Sequence, residues 1–339
     1  MIRTAMLSFW HVHAKGHTKQ AIDHPNIDLV AAWDEDPRRG RARAAEWDIP
    51  FVEDLDGLLA RPDIDAVIVQ TPTSLHHDII IRAAKAGKHI FSDKVLAPTI
   101  KEANEIVAAV DAAKVVLFVG LPYLYYDFTA RLKTILDAGE IGTLVSARIM
   151  NCHGMAIEDT LPPGFYSAKE ARGGALIDMC HAVYLVPCLL GGLPTSAYAS
   201  FAYMTKREVE DSAAVIFDYD SGARAIVEAG FVMKGAPRVT LELHGTEGSV
   251  LFRADSHPRG EGAPAGSIFI ERIGDQTEFA AVELGKSSPV PLSQWVQHIV
   301  DGTRPDENIQ YSLDLSRLIE AAYLSAGQGK AVPLASLHE

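Results

Sequence analysis

Short apolar runs alternating with helix-spaced patterns fill the first third of the chain. Ala5 to Phe9 and Ile27 to Trp33 are apolar runs, with a helix predicted over Lys15 to Ile22 between them. An alanine- and arginine-rich helix over Pro37 to Glu46, a short strand at Pro50 to Val52 and a helix at Leu55 to Leu59 follow. Ala66-Val67-Ile68-Val69-Gln70 is a β-branched stretch suited to a buried strand, and it stops at Thr71-Pro72. The same pairing recurs as a helix at His77 to Ala86 before a strand at His89 to Ser92, and a helix at Ile100 to Ala113 before a strand at Val115 to Val119. Continuous apolar strands alternating with helices predict a parallel sheet covered on both faces. Residues 1–120 therefore read as a doubly wound α/β domain.

After Gly120 the texture changes. A helix at Phe128 to Asp137 leads to a strand at Leu144 to Met150, and further strands are predicted at Ser196 to Tyr203, Ser212 to Tyr219, Ala223 to Phe231, Val239 to Gly245 and Ser249 to Phe252. Asp220-Ser221-Gly222 and Gly245-Thr246-Glu247-Gly248 separate them at hairpin spacing, so residues 121–339 read as an α+β domain with a large, mostly antiparallel open sheet. Pro258 to Ser267 reads as a surface loop. A closing helix over residues 313–326 places Leu315, Leu318, Ile319, Ala322 and Tyr323 on one face.

The 339 residues suit two domains, and 48% hydrophobic with 22% charged residues is ordinary for a globular chain. No stretch reaches the roughly 20 unbroken apolar residues of a membrane span. A formal charge of −13 disfavours nucleic acid and anionic lipid and points to a small-molecule partner. Three cysteines, Cys152, Cys180 and Cys188, make no disulfide framework, and no secretory leader is read at the start. The expected compartment is the cytoplasm.

In a dinucleotide-binding fold the first strand normally leads into G-x-G-x-x-G. Here that place holds Ser8-Phe9-Trp10-His11-Val12-His13, without the glycines. Asp34, ending the second strand, is placed either to accept from the adenosine ribose hydroxyls, favouring NAD over NADP, or to cap the helix starting near Pro37; Arg38 and Arg39 soften the preference.

Two blocks carry a family resemblance: Ala66 to His76, with Thr71-Pro72-Thr73-Ser74-Leu75-His76, and Ala86-Gly87-Lys88-His89-Ile90-Phe91-Ser92-Asp93-Lys94-Val95-Leu96-Ala97. They resemble the glucose-fructose oxidoreductase, inositol dehydrogenase and MocA (Gfo/Idh/MocA) family. Gly173-Gly174-Ala175-Leu176-Ile177-Asp178 and His244-Gly245-Thr246-Glu247-Gly248 extend the likeness. The resemblance implies a Rossmann domain that binds NAD through Ser8, Phe9, Trp10, His11, Asp34, Thr71, Pro72, Ser74, His76, Asp93 and Lys94. It implies Lys94 at the lysine of an E-K-P motif, with Asp93 for its Glu and Val95 for its Pro. Asp178 and His181 stand where the family has D-x-G-x-H, one residue shorter; three apart, they are expected on one helical face, with His181 as base and Asp178 orienting it. Buried structural packing is the other reading of His181.

Tyr123 and Tyr125, at the crossover between domains, and His153, Tyr166 and Lys169 are expected to contact a carbohydrate or polyol. Thirteen histidines raise a metal reading, but His11 and His13, two apart, would sit nearly 7 Å apart along an extended strand and need not converge on one ion; periodicity does not decide the matter if the segment is a turn, and no metal site is assigned. The reading that emerges is an NAD(H)-dependent oxidoreductase interconverting a secondary hydroxyl and a ketone on a sugar, cyclitol or related derivative, and the resemblance implies a homodimer or homotetramer. Transient oxidation serving elimination, epimerisation or glycoside cleavage, and a sugar-binding protein that has lost the nucleotide, remain the alternatives.

Overall fold

The structure is a computed structural model that describes residues 1–234, 239–254, 266–274, 279–284 and 286–338. The first sheet is built from β1 (Ile2–Leu7), β2 (Ile27–Trp33), β3 (Ala66–Val69), β4 (His89–Ser92) and β5 (Leu117–Val119), all parallel, in the order β2-β1-β3-β4-β5. Helices α1 (Ala14–Asp23), α2 (Pro37–Glu46), α3 (Leu55–Leu59), α4 (Thr73–Lys85) and α5 (Ile100–Ala113) connect them. β3 is buried at every position, as a central parallel strand must be. Pro50 to Val52 makes only an isolated bridge, Ala32 to Phe51, because one pairing with the edge strand β2 is all that the short segment reaches. The strand order reverses between β1 and β3, so a crevice is expected beyond their carboxyl ends.

The second sheet combines β6 (Leu144–Cys152), β7 (Ser196–Ala202), β8 (Ser212–Asp218), β9 (Arg224–Gly230), β10 (Val239–Gly245), β11 (Gly248–Ala254), β12 (Gly266–Arg272), β13 (Ala280–Val282) and β14 (Val332–Pro333). Its order is β13-β12-β11-β10-β6-β9-β8-β7-β14, antiparallel except for β6 against β9. The expected loop at Pro258 to Ser267 lies outside the described residues up to 265, and its last two residues begin β12.

Before this sheet comes α6 (Asp127–Asp137), and between β6 and β7 lie α7 (Met155–Glu158), α8 (Ala168–Ala171), α9 (Ala175–Asp178) and α10 (His181–Leu190). Helix α10 is apolar on all sides and packs beneath β6 and β9. After β13, α11 (Pro291–Asp301) returns to the first sheet, where Trp295 is fully buried near Phe91. The closing helix is longer than the sequence pattern indicated, α12 (Asp306–Gln328), because its first turns carry polar contacts: Asn308 pairs with both backbone groups of Val119 at the edge of β5. Helix α12 thus touches β5 and β7 and joins the two sheets. Among the described residues no helix is long and apolar enough to cross a membrane.

Candidate active site

Where β1 ends, the chain turns at Ser8, whose φ of 78° lies in the left-handed region that a glycine normally supplies. The turn folds His11 back, its N–H donating to the carbonyl of Gln70 at the end of β3 (3.1 Å). Trp10 stacks on Phe165 with ring centres 4.6 Å apart and donates to Glu170 (2.8 Å), both from the segment between β6 and β7. Asp34 is buried at the end of β2. It accepts from the N–H groups of Phe9 (2.8 Å) and Asp36 (2.8 Å) and takes a two-pronged contact from Arg39. The helix cap is instead Asp36, which accepts from Arg38 and Arg39, so the capping reading of Asp34 fails.

Lys94 follows β4, in a cis peptide with Val95. Its Nζ donates to Asp178 Oδ1 (2.8 Å) and to the Asp178 carbonyl (2.6 Å), a buried ion pair across the cleft between the sheets. Burial alone would lower the lysine's pKa and raise that of the acid, but their attraction wins: Lys94 is raised above the usual ammonium range and Asp178 is held well below the usual carboxylate range. Both are charged at neutral pH. Around Asp178 stand two imidazoles, His11 with Nε2 at 3.8 Å from Oδ1 and His153 with Nε2 at 3.9 Å from Oδ2. His153 stacks on Phe231, and its Nδ1 accepts from the N–H of Met155 (3.2 Å), which leaves the proton on the nitrogen facing Asp178. Burial pushes His11 well below the usual imidazole range, so it is neutral.

His181 requires a correction. It does not share a helical face with Asp178: α9 ends at Asp178, the chain turns through Met179 and Cys180, and His181 opens α10. Its ring stacks on Tyr123 (4.3 Å), and Nδ1 lies 2.8 Å from the hydroxyl of Tyr184. That hydroxyl accepts from the N–H of Tyr123 (3.0 Å), leaving its own proton for the imidazole. Tyr123 is itself buried behind this stack, with Asn151 donating to its hydroxyl (3.2 Å). Tyr125 turns towards α12, where its hydroxyl accepts from Asn308 (3.2 Å). Tyr166 lies under the guanidinium of Arg207 (3.5 Å), and Lys169 is exposed on α8. A narrow cleft is lined by Trp10, His11, Thr73, Lys94, Phe165 and Asp178.

His76 lies 2.8 Å from the carbonyl of Val95 and 3.2 Å from that of Thr71, and so ties the turn after Lys94 to the end of β3; Pro72 and Ser74 sit at the start of α4. Sequence reasoning missed Glu210. Its buried carboxylate accepts from the N–H groups of Gly174 and Leu176 (each 3.0 Å) and from the hydroxyl of Tyr323 (2.6 Å), fixing α9. A Cβ at Gly174 would stand 2.0 Å from the Glu210 carbonyl oxygen. The glycine pair was the available signal: it marks a close backbone approach, but not which backbone approaches.

Residues 10–121 match the sequence profile of the oxidoreductase family with an NAD-binding Rossmann fold, and residues 129–251 match the GFO/IDH/MocA C-terminal domain. A 1,5-anhydro-D-fructose reductase of Ensifer adhaerens is 32% identical over 239 residues, covering 69% of this chain and 70% of the relative. The chain belongs to the Gfo/Idh/MocA oxidoreductase family. A second Gfo/Idh/MocA relative, the scyllo-inositol 2-dehydrogenase (NAD(+)) of Bacillus subtilis (strain 168), is 32% identical over 251 residues, 71% of each chain. The fold also matches a levoglucosan dehydrogenase in complex with NADH and levoglucosan, with a TM-score of 0.81 at 21% identity, covering 98% of this chain and 99% of that one.

The residues present fit NAD. Asp34 ends β2, Ser8 takes the glycine-like turn, and the hydroxyl of Thr71, buried at the end of β3, has no hydrogen-bond partner among the described residues.

Proposed function

We propose that this family member oxidises a secondary hydroxyl of a sugar, cyclitol or related polyol, or reduces the corresponding ketone, with NAD as cofactor. The observation that supports this most is the buried Lys94–Asp178 ion pair, formed between the segment after β4 and the end of α9, with His11 and His153 beside it. NAD, when bound, accepts or donates the hydride. Asp34 holds the adenosine ribose, and Arg39 must swing aside for it to do so. The residues from Thr71 to Ser74, with the loop Ser8 to His11, border the nucleotide, and Asp93 lies at its nicotinamide end.

The Lys94 ammonium donates to the reacting oxygen and stabilises negative charge on it; this works because a charged donor is already in place in a water-poor cleft. Asp178 keeps that ammonium aimed. Lys94 is held charged, so it is not the base; the hydroxyl proton passes to the ionised Asp178 carboxylate, and His153, with its proton on Nε2, faces that carboxylate and orients it. Trp10 and Phe165 exclude water from one wall of the cleft, and Tyr166 and Lys169 lie on the segment that forms its outer rim.

The test is to titrate the purified chain with NAD and NADP and then assay NADH formation against a panel of inositols, aldoses and anhydrosugars. Saturable NAD binding and turnover of at least one cyclic polyol are expected. Failure to bind either nucleotide overturns the reading.

A further inference from the structure

The turn that replaces the glycine loop gathers three imidazoles around a single carboxylate. Asp93 directly follows β4 and is buried, and its Oδ2 lies 3.4 Å from His11 Nδ1, 3.2 Å from His13 Nδ1 and 3.7 Å from His17 Nδ1. The expectation that His11 and His13 stand apart fails because the segment is a turn, not a strand, and their ring centres are 4.4 Å apart. His13 caps α1 with helical backbone angles, so His13 and His17 sit one turn apart on the same side of the helix. Candidate ligand atoms of His11, His13 and Asp93 all fall within 4.8 Å of one another.

We propose that His11, His13, His17 and Asp93 form a binding site for a divalent transition-metal ion of the zinc class. With metal–ligand bonds of about 2.0–2.1 Å, a tetrahedral ion sets its ligands about 3.3 Å apart, which the three separations from Asp93 Oδ2 already bracket. Three imidazoles and one carboxylate are a donor set for zinc or its neighbours rather than for magnesium or calcium, which take mainly oxygen.

Two further observations point to an ion. His17 Nδ1 is buried and has no hydrogen-bond partner among the described residues, although it faces Asp93. His11 turns Nδ1 towards Asp93 and Nε2 towards Asp178 (3.8 Å); Nδ1 is the ligand atom once the ion displaces its 3.2 Å contact with the N–H of His13, and Nε2 keeps the proton. A ligand histidine whose other nitrogen faces a carboxylate is the usual outer arrangement of a metal site. His13 is partly exposed, which gives the ion a way in. The ion would fasten the turn after β1 to the end of β4, next to Lys94, holding by coordination a loop that lacks the glycine fingerprint.

The site does not depend on the nucleotide reading and is tested without NAD. The untagged full-length chain is stripped with a chelator, equilibrated with Co²⁺ or Zn²⁺ and dialysed. One equivalent per chain is expected, with the visible absorption of tetrahedral Co²⁺ that Zn²⁺ then displaces. His13→Ala and His17→Ala are expected to lower metal affinity at least tenfold, while their circular dichroism in chelator matches that of the parent chain. Substoichiometric binding by the parent chain, or equal binding by both variants, would mean an adventitious ion only and overturn the site.

Discussion

At the residue scale the cleft is organised by one carboxylate. Asp178 receives Lys94 at 2.8 Å and faces two imidazoles, so removing the lysine strands a buried charge. Lys94→Met is therefore expected to destabilise the chain by about 3–5 kcal/mol, read by denaturant unfolding. The smaller Lys94→Arg change should largely keep stability yet lower kcat by about 10²–10³, since the donor no longer meets the reacting oxygen. Asp178 has its pKa depressed by folding, so its contribution to stability is present above the unfolded carboxylate value of about 3.9 and is lost as pH falls through the lower folded value. Lys94 has its pKa raised, so its contribution is full below about 10.4 and is lost as pH rises through the folded value. The Tm gap between the parent chain and Asp178→Asn should accordingly stay level from about pH 5 to 9 and close outside that range, in acid as Asp178 protonates and in strong alkali as Lys94 loses its proton. A gap that closes near pH 6.5 would assign the effect to a histidine instead. His153→Phe, which removes the imidazole that backs the Asp178 acceptor, should lower kcat by about 10², whereas His181→Phe, whose ring stacks within the buried cluster of Tyr123 and Tyr184, should act mainly through stability.

At the element scale, position depends on close backbone approaches. Helix α9 is only four residues long and is held by Glu210 through the N–H groups of Gly174 and Leu176. Gly174→Ala forces a Cβ to within 2.0 Å of a carbonyl oxygen, so α9 must shift and carry Asp178 with it. A loss of both Tm and kcat is expected, larger than for alanine at the exposed Gly16, where a Cβ meets nothing. The turn after β1 follows the same logic. Asp34 accepts from Phe9 within that turn while paired to Arg39, so Asp34→Ala should weaken NAD about 10–100-fold and free Arg39 for a 2′-phosphate, narrowing the preference over NADP in a fluorescence titration. Helix and strand positions were largely legible because each follows from local periodicity; α2, α3, β4 and α5 begin and end where the apolar spacing placed them. The bend between α9 and α10 was not legible, because Asp178 and His181 are three apart in either arrangement, and only the turn at Met179 and Cys180 separates their directions.

At the scale of the whole molecule, α11 and α12 come from the end of the chain and pack against the first sheet, so the two sheets are clamped by a segment that crosses between them. Val145 and Tyr198 are exposed on the strands of the second sheet, and the family resemblance implies assembly through that sheet. Light scattering is expected to return two or four times the 36.7 kDa chain mass, and a monomer would refute this. The sequence alone determined which segments alternate, that a parallel sheet precedes an antiparallel one, and that Lys94 and Asp178 stand in family motifs, since these follow from short-range patterns. Tertiary structure decided which imidazoles meet those residues. His153 lies 25 residues before Asp178 and His11 lies 167 before it, and no local period links them. They converge because β1, β4, β6 and α9 all end at one cleft, and a residue's partners there are set by packing between elements rather than by spacing along the chain.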